Sequence, residues 1–155
     1  MENIKYNKTV MKHFLHPKNM GIIKNPDAVG EVGNIACGDI FWLYLKIAKR
    51  KVKGKEESFI KDIKFKTMGC AAAIATSSMI TELAKGKSLK EAKKITRDDV
   101  ASSLEGLPKI KMHCSNLASE ALKQAIEKYE RKKECDKVTN ISGKIKRKKP
   151  EGYLQ

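Results

Sequence analysis

The chain has 155 residues, of which 33 are Lys or Arg and 18 are Asp or Glu, giving a net charge of +15. A chain this long suits one domain with a real core, because it buries about 70% of its unfolded surface on folding. No run of about 18 apolar residues occurs, which excludes a membrane-spanning helix. The charge suits nucleic acid, an anionic surface or an acidic protein as partner, and is silent about fold.

The spacing of Tyr6, Val10, Met11 and Phe14 predicts an amphipathic helix over residues 4–15. His16-Pro17 closes it, since the residue before a proline is pushed out of the helical region. Asn19, Gly21, Asn25 and Pro26-Asp27 mark a loop over 17–27. A short edge strand is expected over 28–35, followed by the loop Ala36-Cys37-Gly38-Asp39. Phe41, Leu43, Leu45 and Ile47 alternate along one face of a strand over 40–48, with Trp42 and Tyr44 on the other. Residues 49–58 read as a long charged turn centred on Gly54, and 59–67 as the return strand with Ile63, Phe65 and Thr67 inward.

From Ala71 the period changes to that of a helix, which Gly86 stops. Two short helices follow, 88–94 and 96–104, each opened by a capping pair: Ser88 with Glu91, and Thr96 with Asp99. Gly106, Leu107 and Pro108 break the chain, and residues 109–112 run extended into His113-Cys114. A long helix over 115–132 carries the stripe Leu117, Ala118, Ala121, Leu122, Ala125, Ile126 and Tyr129. That stripe ends before residue 134. The expected organisation is a domain over 1–133 and a flexible basic tail over 134–155, with Lys144, Lys146, Arg147, Lys148 and Lys149 close together.

Four cysteines are present: Cys37, Cys70, Cys114 and Cys135. The polar start MENIKYNKTVMKHFLH lacks the apolar core of a signal peptide, so a cytoplasmic location is expected and structural disulfides are not. No C-x-x-C pair occurs, which leaves out zinc ribbons and thioredoxin-type motifs. Any one of these cysteines, taken alone, reads equally well as an incidental thiol.

Together they point further. Entry and exit of an antiparallel hairpin lie at one end, which brings Cys37 close to Cys70. Cys70 and Cys114 each stand immediately before a predicted helix, where free N–H groups and the helix dipole favour thiolate and lower thiol pKa values into a range of about 3.5–7.5. Lys109 and Lys111 add positive charge beside Cys114. The candidate ligand set is Cys37, Asp39, Cys70, His113 and Cys114, which suits zinc or an iron–sulfur cluster. Five candidates for four positions would permit ligand exchange. Gly38 and Gly69 would let backbone approach a metal closely. His13 and His16 read as structural or surface groups, and Cys135 as a bystander.

Ala36-Cys37-Gly38-Asp39, Phe65-Lys66-Thr67-Met68-Gly69-Cys70 and Lys111-Met112-His113-Cys114 resemble the three signature segments of the IscU/NifU family of iron–sulfur cluster assembly scaffolds. Tyr6 to Asn19 and Leu83 to Ala92 are similar to that family too, and the resemblance spans roughly residues 4–132. It implies an α+β fold, a small antiparallel sheet of about three strands with helices packed on one face. It implies a scaffold rather than an enzyme, one that builds a transient 2Fe–2S cluster from iron and from sulfur supplied by a cysteine desulfurase of the IscS/NifS type, and passes the cluster to apo-proteins. Cys37, Cys70 and Cys114 match the cluster-ligand cysteines, Asp39 the aspartate linked to cluster lability, and His113 a further ligand. Cys114 matches the persulfide acceptor.

The same pocket holds zinc in many family members, and a homo-oligomer in the cluster-bound form stays open. The segment Leu107-Pro108-Lys109-Ile110-Lys111 departs from the family's Leu-Pro-Pro-Val-Lys, which speaks against a DnaK-class chaperone as partner. Two other readings compete: a zinc-bound persulfide carrier, and a basic nucleic-acid-binding module resting on the charge alone.

Overall fold

The computed structural model describes residues 4–36 and 38–142, with side chains as far as residue 137. Three strands form one antiparallel sheet in the order β1-β2-β3: β1 (Ala28–Asn34), β2 (Asp39–Val52) and β3 (Lys55–Met68). Around it are α1 (Lys8–Leu15), α2 (Ala71–Ala84), α3 (Leu89–Lys93), α4 (Arg97–Ser103) and α5 (Met112–Ser142). The architecture is α+β, as the motif resemblance implies.

Alternation along the strands decides which face is covered. Phe41, Leu43, Leu45, Ile60, Ile63 and Phe65 are buried and join Ala72, Ile80, Leu122 and Ile126 in one core, with α2 over β3 and α5 over β1 and β2. A Cβ built on Gly30 would stand 2.1 Å from the carbonyl oxygen of Ala121, so β1 meets α5 at a separation that only glycine allows. Trp42, Tyr44, Lys64 and Lys66 lie on the opposite face, which no helix covers among the described residues.

The hairpin differs from the expected one. β2 and β3 continue to Val52 and Lys55, leaving Lys53 and Gly54 as a two-residue turn with φ of +51° and +78°. Both turn residues adopt the left-handed conformation that matches strand twist in a tight hairpin. The charges read as a solvated loop instead pair across the strands, Lys49 with Glu56 at 2.7 Å and Arg50 with Glu57 at 3.0 Å.

Capping residues set most helix starts. Ser88 with Glu91, and Thr96 with Asp99, both form complete reciprocal boxes. Asn7 caps α1, its Oδ1 accepting from Val10 N at 2.8 Å. The same side chain donates through Nδ2 to the carbonyls of Leu104 (2.8 Å) and Gly106 (3.0 Å), tying the first helix to the segment that follows α4. His13, on the buried face of α1, has Nδ1 2.8 Å from Ser78 Oγ of α2, and so has a structural place.

The long helix also differs from expectation. Residues 109–111 form a single 3-10 turn instead of an extended run, and α5 begins at Met112. His113 and Cys114 are therefore inside its first turn. α5 continues past residue 134 to Ser142, and the lysine-rich stretch 144–149 lies outside the described residues.

Candidate metal–sulfur site

Three separate turns of the chain meet at one end of the sheet. Asp39 opens β2 and pairs with Asn34 across a four-residue connection, 35–38. That connection is shaped by Asn34, whose Oδ1 accepts from Ala36 N at 2.9 Å and whose carbonyl accepts from Gly38 N at 2.8 Å, with Gly38 at φ +71°. Cys70 is the N-cap residue of α2 and makes no side-chain capping bond, which leaves its sulfur for other partners. Cys114 sits in the first turn of α5 and is fully buried.

One ligand atom each from Asp39, Cys70 and Cys114 lies within 4.8 Å of the other two. Cys114 Sγ is 3.6 Å from Asp39 Oδ2 and 3.5 Å from His113 Nε2, and His113 Nε2 is 3.8 Å from Asp39 Oδ2. Ligand atoms around a tetrahedral ion with bonds of 2.0–2.3 Å stand roughly 3.3–3.8 Å apart, so these separations are those of a metal-ready group. Cys37 lies outside the described residues.

His113 is oriented by its second nitrogen. Nδ1 lies 3.0 Å from the carbonyl oxygen of Ile110, which can only accept, so Nδ1 carries the proton. In the neutral ring, Nε2 then turns its lone pair toward Asp39 and Cys114. A carbonyl fixing the far nitrogen is a common way to hold a metal-binding imidazole in its tautomer.

Asp39 is 5% exposed, and its carboxylate has room only because residue 69 has no side chain. A Cβ on Gly69 would stand 2.9 Å from Asp39 Oδ1 and 2.7 Å from Ala73 Cβ. Gly69 thus makes space for the acid, whereas the sequence reading had it admit backbone to a metal.

The electrostatics also depart from expectation. Burial pushes the Cys114 thiol above its ordinary range, reinforced by the neighbouring Cys70 and Asp39, so desolvation overrides the helix terminus. Lys111 makes its contact with Cys70, and its interaction with Cys114 is the smaller one. Its Nζ reaches Cys70 Sγ at 3.7 Å, and its own pKa is raised chiefly by that sulfur. Tyr6, read from sequence as part of an apolar helix face, precedes α1 and feels the site: burial raises its phenol first, then Cys70, with Lys111 acting in the opposite sense. Only the nearness of Lys111 to the His-Cys pair hinted at its part. Nothing local to Tyr6 did.

Comparison with known proteins places this arrangement. The family described as "NifU-like N terminal domain" matches residues 5–136. The chain is 53% identical over 137 residues to "Iron-sulfur cluster assembly scaffold protein IscU 1" of Archaeoglobus fulgidus, covering 88% of this chain and 84% of that one. It is 45% identical over 133 residues to "Iron-sulfur cluster assembly scaffold protein IscU" of Escherichia coli K12, covering 84% and 98%. Among solved structures, a putative iron–sulfur cluster assembly scaffold for the SUF system from Fervidobacterium islandicum superposes with a TM-score of 0.63 at 25% identity, covering 78% and 96%. A nitrogen-fixing NifU-like protein (N-terminal) from Brucella abortus matches in fold, with a TM-score of 0.59 at 23% identity over 81% and 94%. With its signature segments, its three-stranded sheet and a family match over most of its length, the chain belongs to the NifU-like N-terminal domain family.

Proposed function

We infer that this chain is an assembly scaffold for iron–sulfur clusters, and that the cluster is cargo held by Cys37, Asp39, Cys70, His113 and Cys114. The observation that carries this reading is the convergence of Asp39, Cys70 and Cys114 within 4.8 Å, in a member of a family whose relatives are described as scaffolds.

The chemistry follows from crowding. Burial first, and then the neighbouring Cys70 and Asp39, hold the Cys114 thiol protonated. An iron ion entering the group reverses this, because coordination of the thiolate displaces the thiol proton to solvent. Sulfur arrives when the Cys114 thiolate attacks the outer sulfur of a desulfurase persulfide; a new S–S bond forms at Cys114 and the desulfurase cysteine leaves as thiolate. Each sulfur atom so delivered takes up two electrons from a dithiol or an iron–sulfur electron carrier to become the bridging sulfide of a 2Fe–2S unit. Asp39 is the weak oxygen ligand in a sulfur-rich set, which suits release.

The sulfur donor is a cysteine desulfurase and the recipients are apo iron–sulfur proteins, met in the cytoplasm. Leu107 to Lys111 has lost the second proline of the family's segment and enters a 3-10 turn at Lys109, both of which speak against a chaperone groove that reads a polyproline shape. Zinc suits the same donors, and a zinc-bound persulfide carrier is the second reading.

Anaerobic reconstitution with iron, cysteine and a desulfurase decides between them. The expected result is acid-labile sulfide and a visible chromophore, lost in Cys37→Ala, Cys70→Ala and Cys114→Ala and longer-lived in Asp39→Ala. Tightly held zinc that iron and sulfide do not displace, with no sulfide uptake, would overturn the scaffold reading.

A further inference from the structure

The face of the sheet turned away from the helices carries a patterned surface that the metal–sulfur site does not use. Along the central strand β2, Ile40, Trp42 and Tyr44 all point to this side, partly exposed. Their partners on β3 are Met68, Lys66 and Lys64, and on β1 Val29 stands opposite Tyr44. Met68 is 63% exposed. The result is an apolar and aromatic strip with a lysine beside each ring. Lys66 Nζ stands 5.9 Å from the Trp42 ring, and neither Lys64 nor Lys66 forms an ion pair with a carboxylate among the described residues. Lys46, further along β2, is by contrast engaged with Asn25 and Asp27.

We propose that this strip is the docking surface for an acidic protein partner, one that lays an apolar side chain on Trp42 and Tyr44 and sets carboxylates against Lys64 and Lys66. Charge complementarity selects the occupant. A second copy of the chain is disfavoured because each carries +15. A nucleic-acid strand would find stacking surfaces on the rings. The apolar contacts of Ile40, Met68 and Val29 ask for side chains rather than sugars. An apolar centre rimmed by unpaired charge is the composition of a protein interface.

Position adds meaning. The strip ends at Ile40 and Met68, which are paired with each other next to Asp39 and Gly69-Cys70. A partner seated there stands at the mouth of the metal–sulfur site without occupying it. The surface does not depend on cluster assembly, so its test can fail while the scaffold reading stands, and the reverse.

Trp42 is the sole tryptophan of the chain, so its fluorescence reports on this face alone. The full chain is titrated with a short tryptophan-free peptide in which glutamates flank phenylalanine and leucine, with the glutamine version of that peptide, and with a short oligothymidylate. The expected result is a change in Trp42 emission with the acidic peptide. Raising salt weakens that binding, and the Lys64→Glu/Lys66→Glu variant weakens it by roughly tenfold or more. Peptide binding to other lysines leaves the emission still. The proposal is overturned by an unmoved Trp42 signal, by equal response to the glutamine peptide, by equal response in the double variant, or by tighter binding of the oligothymidylate.

Discussion

Replacing Gly69 by alanine tests the idea that the acid of the site is held by an absent side chain. Gly69 is not among the glycines with positive φ, so its backbone suits alanine. Where space allows, such a change stabilises a protein by about 0.4–1 kcal/mol through the unfolded chain. Here the new Cβ would stand 2.7 Å from Ala73 Cβ and 2.9 Å from Asp39 Oδ1. Carbon atoms rest at about 3.5–4.0 Å, so the first contact is short by roughly 0.8 Å or more. Overpacking of this kind costs about 1–3 kcal/mol, which leaves a net loss near 1–2 kcal/mol. With a urea slope of about 2 kcal/mol/M, the unfolding midpoint of the metal-free protein falls by about 0.5–1 M. In an Asp39→Ala background part of the clash is gone, so the same change costs less, and the double-mutant cycle isolates the acid's share. A midpoint that holds or rises on Gly69→Ala would refute the reasoning, because the sign itself depends on the clash.

Gly30→Ala is expected to cost more than Gly69→Ala in the same titration, because its Cβ would meet the Ala121 carbonyl at 2.1 Å and backbone cannot swing aside. His13 is buried and its pKa is lowered by that burial, with Glu82 opposing. The unfolded chain therefore takes up the proton first, and stability is expected to fall as pH drops below about 6.5; His13→Gln flattens that limb, and unfolding midpoints from pH 7.5 downward check it. In mildly alkaline buffer, iodoacetamide is expected to label exposed Cys135 well before Cys114, whose thiol is buried and held protonated. Equal labelling rates, read by peptide mass mapping, would contradict the burial.

Much of the molecule was legible because local signals agreed with the fold. The alternation of Phe41, Leu43 and Leu45 named the buried face of β2, the Ser88 and Thr96 boxes named two helix starts, and Gly86 at φ +82° stopped α2. The misreadings have physical causes. Charge over residues 49–58 looked like a solvated loop because pairing between Arg50 and Glu57 is a property of register. The long helix was expected to start at Ser115, yet Ser115 lies inside it, its Oγ donating to the Met112 carbonyl at 2.8 Å. The true start has no such marker, since Pro108 and a 3-10 turn prepare it. Hairpin topology argued for Cys37 near Cys70; Cys37 lies outside the described residues, and Asp39, two positions on, does meet Cys70. The burial of Cys114 could not be argued from topology, because it depends on how α5 settles against the sheet, and burial is what reverses the expected thiolate.

Asn7 has a consequence beyond capping. One side chain holds the amide that starts α1 and the two carbonyls, of Leu104 and Gly106, from which the chain runs toward His113 and Cys114. Fraying of the first helix and loosening of that run are thus one cooperative event, sharing a single opening free energy. Anything that orders the N-terminal helix, including a protein bound to it, lowers the entropy of the distant thiol, and anything held by that thiol protects the N-terminal helix in return. The front of the chain and its sulfur pocket are thermodynamically linked through one amide.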